Sequence, residues 1–483
     1  MPVPSSSHRW AALALLAATQ FVLILDASIV GVALPSIGPD LGFAPEDLSW
    51  VANAYTLTFG GLLLLGGRAA DLAGRRRMFV WGLALFAAAS LAGALSVDAT
   101  MLVAARAVQG VGAALVAPAA LSLVMTIFEP GPDRNKALGI FGATAGAGGA
   151  AGSILGGVLT ESLGWESTLY VNVPIGAVAI ALAPRLLPAG REAAHGARGF
   201  DLAGAVTVTA GLALLVYALV DANDAGWGSA QTLGLTALAL VLIAAFVVVE
   251  ARSSHPLVPL RIFRQAQLRG ANILAALTTM AMFPMFFYMT FYLQQVLEYG
   301  PVRAGLGGLP IALTIAVAAG VASGVVTRVG FKTPLVSGLV LMAAGLAWFS
   351  RMSADGGWLT DVLGPSFVMG VGCGLAFVAF TVAATSAARP EEAGLASGLV
   401  NTAQQVGGSL GLAVIVAVAT ARTEDAFAGG ERVAAVALTD GYRLAMLVAA
   451  GIALLGALLS IVLVRGGAPR HEGEEQPRHP VMV

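Results

Sequence analysis

Gly67-Arg68-Ala69-Ala70-Asp71-Leu72-Ala73-Gly74-Arg75-Arg76-Arg77 sets one carboxylate among four guanidinium groups and brackets them with glycine. Apolar runs flank it on both sides, at roughly 48–67 and 78–97. A run of ~20 apolar residues is what a helix needs to cross a bilayer core of ~30 Å. The segment therefore reads as a short charged reversal between two membrane spans, with glycine permitting the tight turn. One carboxylate amid several arginines can lock neighbouring helix ends together in one state and release them in another. The plainer alternative is a topology signal, since positive charge gathers on the cytoplasmic side of membrane proteins.

Working outward, the same pattern fills the chain. Of 483 residues, 58% are apolar and 11% charged, whereas soluble domains average roughly 45–50% and about 25%. The composition excludes a soluble enzyme with a single anchor, because no polar stretch is long enough to form a domain. It excludes an outer-membrane barrel as well, whose strands alternate polar and apolar residues. Fourteen apolar runs can be counted, from 10–37 to 442–464, so the expected fold class is an all-α polytopic membrane protein. The net charge of −1 implies no nucleic-acid surface. The lone Cys373 forbids an internal disulfide and reads as a small packing residue among glycines, and no Cys/His cluster has metal-ligand spacing.

With the N-terminus inside, twenty Lys and Arg residues fall in cytoplasmic segments and five in outer ones. This bias supports an even span count and places both termini in the cytoplasm. Charged, proline-bearing linkers near 188–199 and 251–267 divide the spans into six, two and six. The expected organisation is an N-terminal bundle over 1–187, linkers and two extra helices over 188–267, a C-terminal bundle over 268–465 and a cytoplasmic tail over 466–483. Two six-helix halves facing a midplane site form a recurrent transporter plan.

Several stretches together resemble the major facilitator superfamily, and within it the fourteen-helix drug:proton antiporters. The 67–77 loop is similar to that superfamily's Gly-x-x-x-Asp-x-x-Gly-Arg-Arg signature, carried here by Gly67, Arg68, Asp71, Gly74, Arg75 and Arg76. Arg106, Gln109, Gly110 and Gly112 look like its Arg-x-x-Gln-Gly-x-Gly motif. The stretch Leu25-Asp26-Ala27-Ser28 through Ala33-Leu34-Pro35 resembles the first span of the fourteen-helix group, with Ser28 and Gly31 departing from its Thr and Asn. Tyr292-Leu293-Gln294-Gln295 followed by Ala304-Gly305-Leu306 is similar as well. Span five, with Gly146, Gly149, Gly152, Gly156 and Gly157, resembles the glycine-rich antiporter helix, although Ser153 stands where that motif has Pro. By themselves these glycines would equally make a dry contact between helices. The resemblance implies a major facilitator fold of two six-helix bundles plus two extra central helices.

Asp26 and Arg106 are the ionisable residues placed well inside spans, where a charge costs ~2.5–3.5 kcal/mol on insertion scales and so implies a role or a partner. At ~1.5 Å rise per residue, Asp26 lies ~24 Å from the inner edge and Arg106 ~8 Å from the outer one. The two match in depth across a ~30 Å core, so they can pair between spans one and four. That pair is either a static structural contact or, as the resemblance implies, a proton-binding carboxylate modulated by arginine. Polar and aromatic side chains expected near a substrate cavity are Ser28, Asn53, Tyr55, Gln109, Phe287, Tyr288, Tyr292, Asn401, Gln404 and Gln405, although ordinary packing accounts equally for any single ring.

The resulting expectation is a proton-coupled antiporter in the cell membrane, exporting lipophilic drugs, antibiotics or secondary metabolites. Its partners would be the small substrate, protons and the bilayer, with no nucleic acid, no obligatory protein partner and no cofactor. No Gly-x-x-x-x-Gly-Lys-Ser/Thr loop occurs, which removes ATP hydrolysis on motif grounds. A proton-coupled symporter or uniporter for a small metabolite is the alternative. A membrane-embedded enzyme is more remote, because the five histidines all fall in termini or linkers.

Overall fold

The computed structural model describes residues 6–44, 47–129, 132–188, 201–253, 256, 260–387 and 393–464, and among these every regular element is helical. The first seven helices are α1 (Ser6–Leu41), α2 (Ser49–Ala73), α3 (Arg75–Ala94), α4 (Ala99–Ile127), α5 (Pro132–Leu163), the short α6 (Ser167–Tyr170) and α7 (Asn172–Leu186). Two more follow, α8 (Leu202–Ala225) and α9 (Ala230–Arg252). The remainder are α10 (Ala266–Phe291), α11 (Pro301–Gly307), α12 (Leu309–Val329), α13 (Lys332–Phe349), α14 (Gly364–Ala387), α15 (Ala393–Ala428) and α16 (Ala434–Leu463). Among the described residues, eleven helical stretches are long and apolar enough to cross a membrane. The 188–199 linker and the 466–483 tail lie almost wholly outside the described residues.

Helices form because backbone groups in hydrocarbon must find partners within their own segment. Their ends carry local signals. The Asp98 and Ser229 side chains accept the Met101 and Thr232 amides and so cap α4 and α9. Gly74, at φ +99°, joins α2 to α3 in a conformation that side chains avoid. Apolar side chains face outward in a way that only lipid accommodates: Leu313, Val317 and Val321 form an exposed i, i+4, i+8 stripe on α12. In α9 only 11% of the apolar window is buried, against 61% in α1, so α9 lies at the periphery.

Three breaks in the helices leave hydropathy unchanged. The sixth apolar run is split at Val171 between α6 and α7, and the tenth at Gly308 between α11 and α12. The ninth ends in a π-helical turn, Tyr292–Val296. The last helix begins earlier than its hydropathy indicates, so Asp440 too lies within α16, and both Arg422 and Arg443 approach it to 3.4 Å.

Packing follows two sets. Helices α1, α2, α3, α4, α5 and α7 pack among themselves, and α10, α12, α13, α14, α15 and α16 do likewise; α2 against α15 and α5 against α12 join the sets, and the short α11 also packs on α5. One buried cluster spans both, combining Leu25, Ile29, Leu34, Val51 and Trp165 with Phe287, Tyr292, Leu346 and Tyr442. It lies toward the face bearing the turns at Gly42 and Gly164. Toward the opposite face, where Gly74 turns, the cores separate: Leu13, Phe79, Leu123 and Phe128 in one, Leu268, Phe331, Leu399 and Val464 in the other. Among the described residues, the sets thus share one core at the Gly42 face and have separate cores at the Gly74 face.

Candidate functional site

Asp26, in the middle of α1, is fully buried, as is Arg106 on α4. Arg106 Nη1 donates to Asp26 Oδ2 at 2.6 Å. The other carboxylate oxygen, Oδ1, accepts from Gln109 Nε2 at 3.0 Å and from Asn172 Nδ2 at 2.6 Å. Arg106 Nη1 also donates to Gln109 Oε1 at 2.7 Å, and its Nε to the Val51 carbonyl at 3.0 Å. Ser90 on α3 closes the ring, accepting from Gln109 Nε2 at 2.6 Å and lying 3.4 Å from Asn172 Nδ2. The guanidinium sits 4.4 Å above the Tyr55 ring centroid, a cation–π contact.

Five helices therefore supply one buried polar ring. Arg106 and Gln109 share a face because they are three residues apart on α4. In low dielectric, a carboxylate with three donors and one opposite charge is held firmly, while loss of either partner leaves an uncompensated charge. Ser90 and Asn172 were not singled out in the sequence. Their only signal is polarity inside apolar segments, and many satisfied core residues share it.

The glycines of α5 divide by direction. A Cβ on Gly152 would fall 2.6 Å from the Ser28 Cβ, and one on Gly156 would fall 2.9 Å from the Ile29 carbonyl oxygen, so these two faces are where α5 presses on α1. A Cβ on Gly157 would meet the Pro301 carbonyl at 2.6 Å, across to α11. Gly149 has open space beside it, and Gly146 lies in the same helix. With Ser153 in place of proline, α5 runs unbroken for 32 residues. Ser153 Oγ donates to the Gly149 carbonyl at 3.2 Å, and Ser28 Oγ donates to that same carbonyl at 2.9 Å.

At the Gly74 face, Arg75 bonds to the Thr126 hydroxyl at the end of α4. Arg76 donates to the Leu187 carbonyl at 3.3 Å, just beyond α7. The loop's arginines thus reach the ends of α4 and α7. Gly67, Arg68 and Asp71 lie in the last turns of α2, and the side chains of Arg68 and Asp71 lie outside the described set.

Residues expected at a substrate cavity are scattered. Tyr55 and Gln109 belong to the polar ring, and Asn53 is buried nearby on α2. Phe287 and Tyr288 are packed in the core that joins the two sets, Tyr288 against Tyr442 with centroids 4.9 Å apart. Tyr292 is buried too, its hydroxyl 2.7 Å from Asp361 Oδ2 and 2.8 Å from the Ser353 carbonyl. Gln404 and Gln405 are half-buried on α15, and Asn401 is exposed. In this conformation Phe287, Tyr288 and Tyr292 of the aromatic run are buried in packing, while Phe283 and Phe286 are partly buried against the same core. Beyond it, Gln294 Nε2 donates to the Val32 carbonyl at 2.9 Å, and Glu161 Oε2 accepts the Val302 amide at 3.0 Å. Both bonds tie the two helix sets together at the Gly42 face.

The chain is 40% identical over 95% of its length to the puromycin resistance protein pur8 of Streptomyces alboniger, covering 92% of that protein. It is 43% identical over 86% of its length to the cephamycin export protein CmcT of Amycolatopsis lactamdurans, covering 85% of it. Among solved structures it superposes with TM-score 0.66 on a bacterial homologue of the human lysosomal transporter Spinster, inward-facing and unoccupied, at 15% identity and covering 95% and 97% of the two chains. An auto-inhibited peptide transporter of the POT family gives TM-score 0.68 at 17% identity, covering 98% and 99%. At these identities the structural likenesses speak for the fold. The profile of the Major Facilitator Superfamily matches residues 16–412. The chain is a multi-pass membrane transporter and belongs to the Major Facilitator Superfamily.

Proposed function

We propose that this transporter is a proton-coupled antiporter that exports lipophilic antibiotics or related secondary metabolites from the cytoplasm. The observation that carries the reading is the buried Asp26–Arg106 pair within a ring of donors. A carboxylate in hydrocarbon is expensive unless it works, and one beside an arginine can exchange a proton when water reaches it. Relatives of 40% and 43% identity named for puromycin resistance and cephamycin export support the direction and the substrate class. We further propose fourteen spans, because α2, α5 and α8 are each 24 residues or longer and add to the eleven apolar stretches. In this reading α1–α7 and α10–α16 are the two bundles, α8 and α9 the extra pair, and both termini are cytoplasmic. The Gly42 face is then external and closed, and the 67–77 loop gates the cytoplasmic side. No cofactor is required, because the proton gradient supplies the energy.

Cells expressing the protein are expected to accumulate less puromycin than controls, and a protonophore should abolish the difference. Asp26→Asn should remove uphill export while leaving downhill exchange. Accumulation that rises with expression would make the protein an importer. Uphill, protonophore-sensitive export by Asp26→Asn at the wild-type rate would take the proton away from this ring.

A further inference from the structure

One atom of the ring stands apart. Asn172 is fully buried, its Nδ2 donates to Asp26 Oδ1 at 2.6 Å, and its Oδ1 has no hydrogen-bond partner among the described residues. A buried amide oxygen without a donor is costly and needs a reason. The reason emerges when a proton is placed on Asp26. Oδ1 then turns from acceptor to donor, and the amides of Gln109 and Asn172 both point the wrong way. Arg106 has no lone pair to offer. Gln109 Oε1 already accepts from Arg106 Nη1 at 2.7 Å. Ser90 Oγ accepts from Gln109 at 2.6 Å and donates to the Phe86 carbonyl at 2.8 Å. Among the amide and serine oxygens of the ring, the one without a hydrogen-bond partner among the described residues is Asn172 Oδ1.

We propose that Asn172 is a positioning residue that serves both protonation states of Asp26 by rotating its amide. With the carboxylate it donates through Nδ2; after Oδ1 takes up a proton, a half-turn about the Cβ–Cγ bond presents the Asn172 oxygen to the new O–H. The rotation exchanges two groups of nearly equal size, so the packed surroundings need not move. The proton stays on Asp26, and no bond other than its O–H is made or broken. The ionisable side chains interacting with Asp26 are Arg106 on α4 and Tyr55 on α2; α3 and α7 bring the uncharged Ser90 and Asn172. This inference rests on the reading of Asp26 as the proton carrier.

Infrared difference spectra between high and low pH, taken on the purified full-length chain in lipid, test it without a known substrate. A protonated-carboxyl band that vanishes in Asp26→Asn identifies the Asp26 acid. That band should be accompanied by a shift of a side-chain amide carbonyl band, which moves on 13C-asparagine labelling of the unmodified protein and is lost in Asn172→Leu. In Asn172→Leu the Asp26 carboxyl band should move to the higher frequency of an acid lacking an acceptor, and Asn172→Gln should restore part of the shift. An Asp26 band unaccompanied by any labelled amide change would overturn the role of Asn172 while leaving the proton site intact. If no carboxyl band depends on Asp26, the proton site itself falls and the inference with it. Labelling needs no substitution, so a variant that fails to fold does not shield the proposal.

Discussion

Asp26 and Arg106 form a fully buried pair, and such a pair is costly to break from either side. Removing one member leaves a charge unpaired in low dielectric, at a cost of about 3–5 kcal/mol, while removing both spares most of that. Arg106→Ala should therefore lower the thermal stability of the purified protein sharply, and Asp26→Asn less, because an amide remains to accept from arginine. The double variant should lose less than the two single losses added, by about 0.5–3 kcal/mol. Strict additivity in a thermal-unfolding cycle would mean that the two act independently. The pairing was legible in the sequence because two charges sat at equal depth in their spans and helix rise converts position into depth. Ser90 and Asn172 were not legible. A serine in an alanine-rich helix and an asparagine near a span's start acquire meaning only when tertiary packing brings them to the same carboxylate.

At the scale of the helix, the glycines of α5 fall into two kinds. Gly152 allows α1 to approach, since a Cβ there would sit 2.6 Å from that of Ser28, whereas Gly149 faces open space. Gly152→Val should overpack the contact and cost about 1–3 kcal/mol, with transport falling in step. Gly149→Ala should be neutral or raise thermal stability, because alanine is favoured over glycine in a helix by up to about 1 kcal/mol. Equal losses at both positions would point to a need for flexibility along the whole helix. Among the described residues, eleven of the fourteen expected spans coincide with helical stretches long and apolar enough to cross, because the bilayer sets the length of a hydrophobic run. The breaks at Val171 and Gly308 and the π turn after Phe291 were not legible, because they change hydrogen-bond register without changing composition.

Across the whole molecule, the two helix sets meet at the Gly42 face through Gln294 to Val32 and Glu161 to Val302, and have separate cores at the other among the described residues. Transport by alternating access requires the joined face to part. The single native Cys373 is buried, so introduced cysteines can be modified selectively. Replacing Glu161 and Val302 with cysteine and bridging them with a flexible bismaleimide should stop transport, whereas either single variant treated alike should continue. Undiminished transport by the bridged protein would show that this face never opens. The polar ring adjoins the core that the two sets share, Arg106 reaching the Val51 carbonyl, and all of its side chains, from Asp26 to Asn172, come from helices of the first set. A rocking motion of one set against the other can then carry the ring along as a unit, with only the Asn172 amide turning within it. In the proposed cycle what alternates is which compartment's water reaches it, so the energy of the gradient would enter through wetting and the turn of one amide.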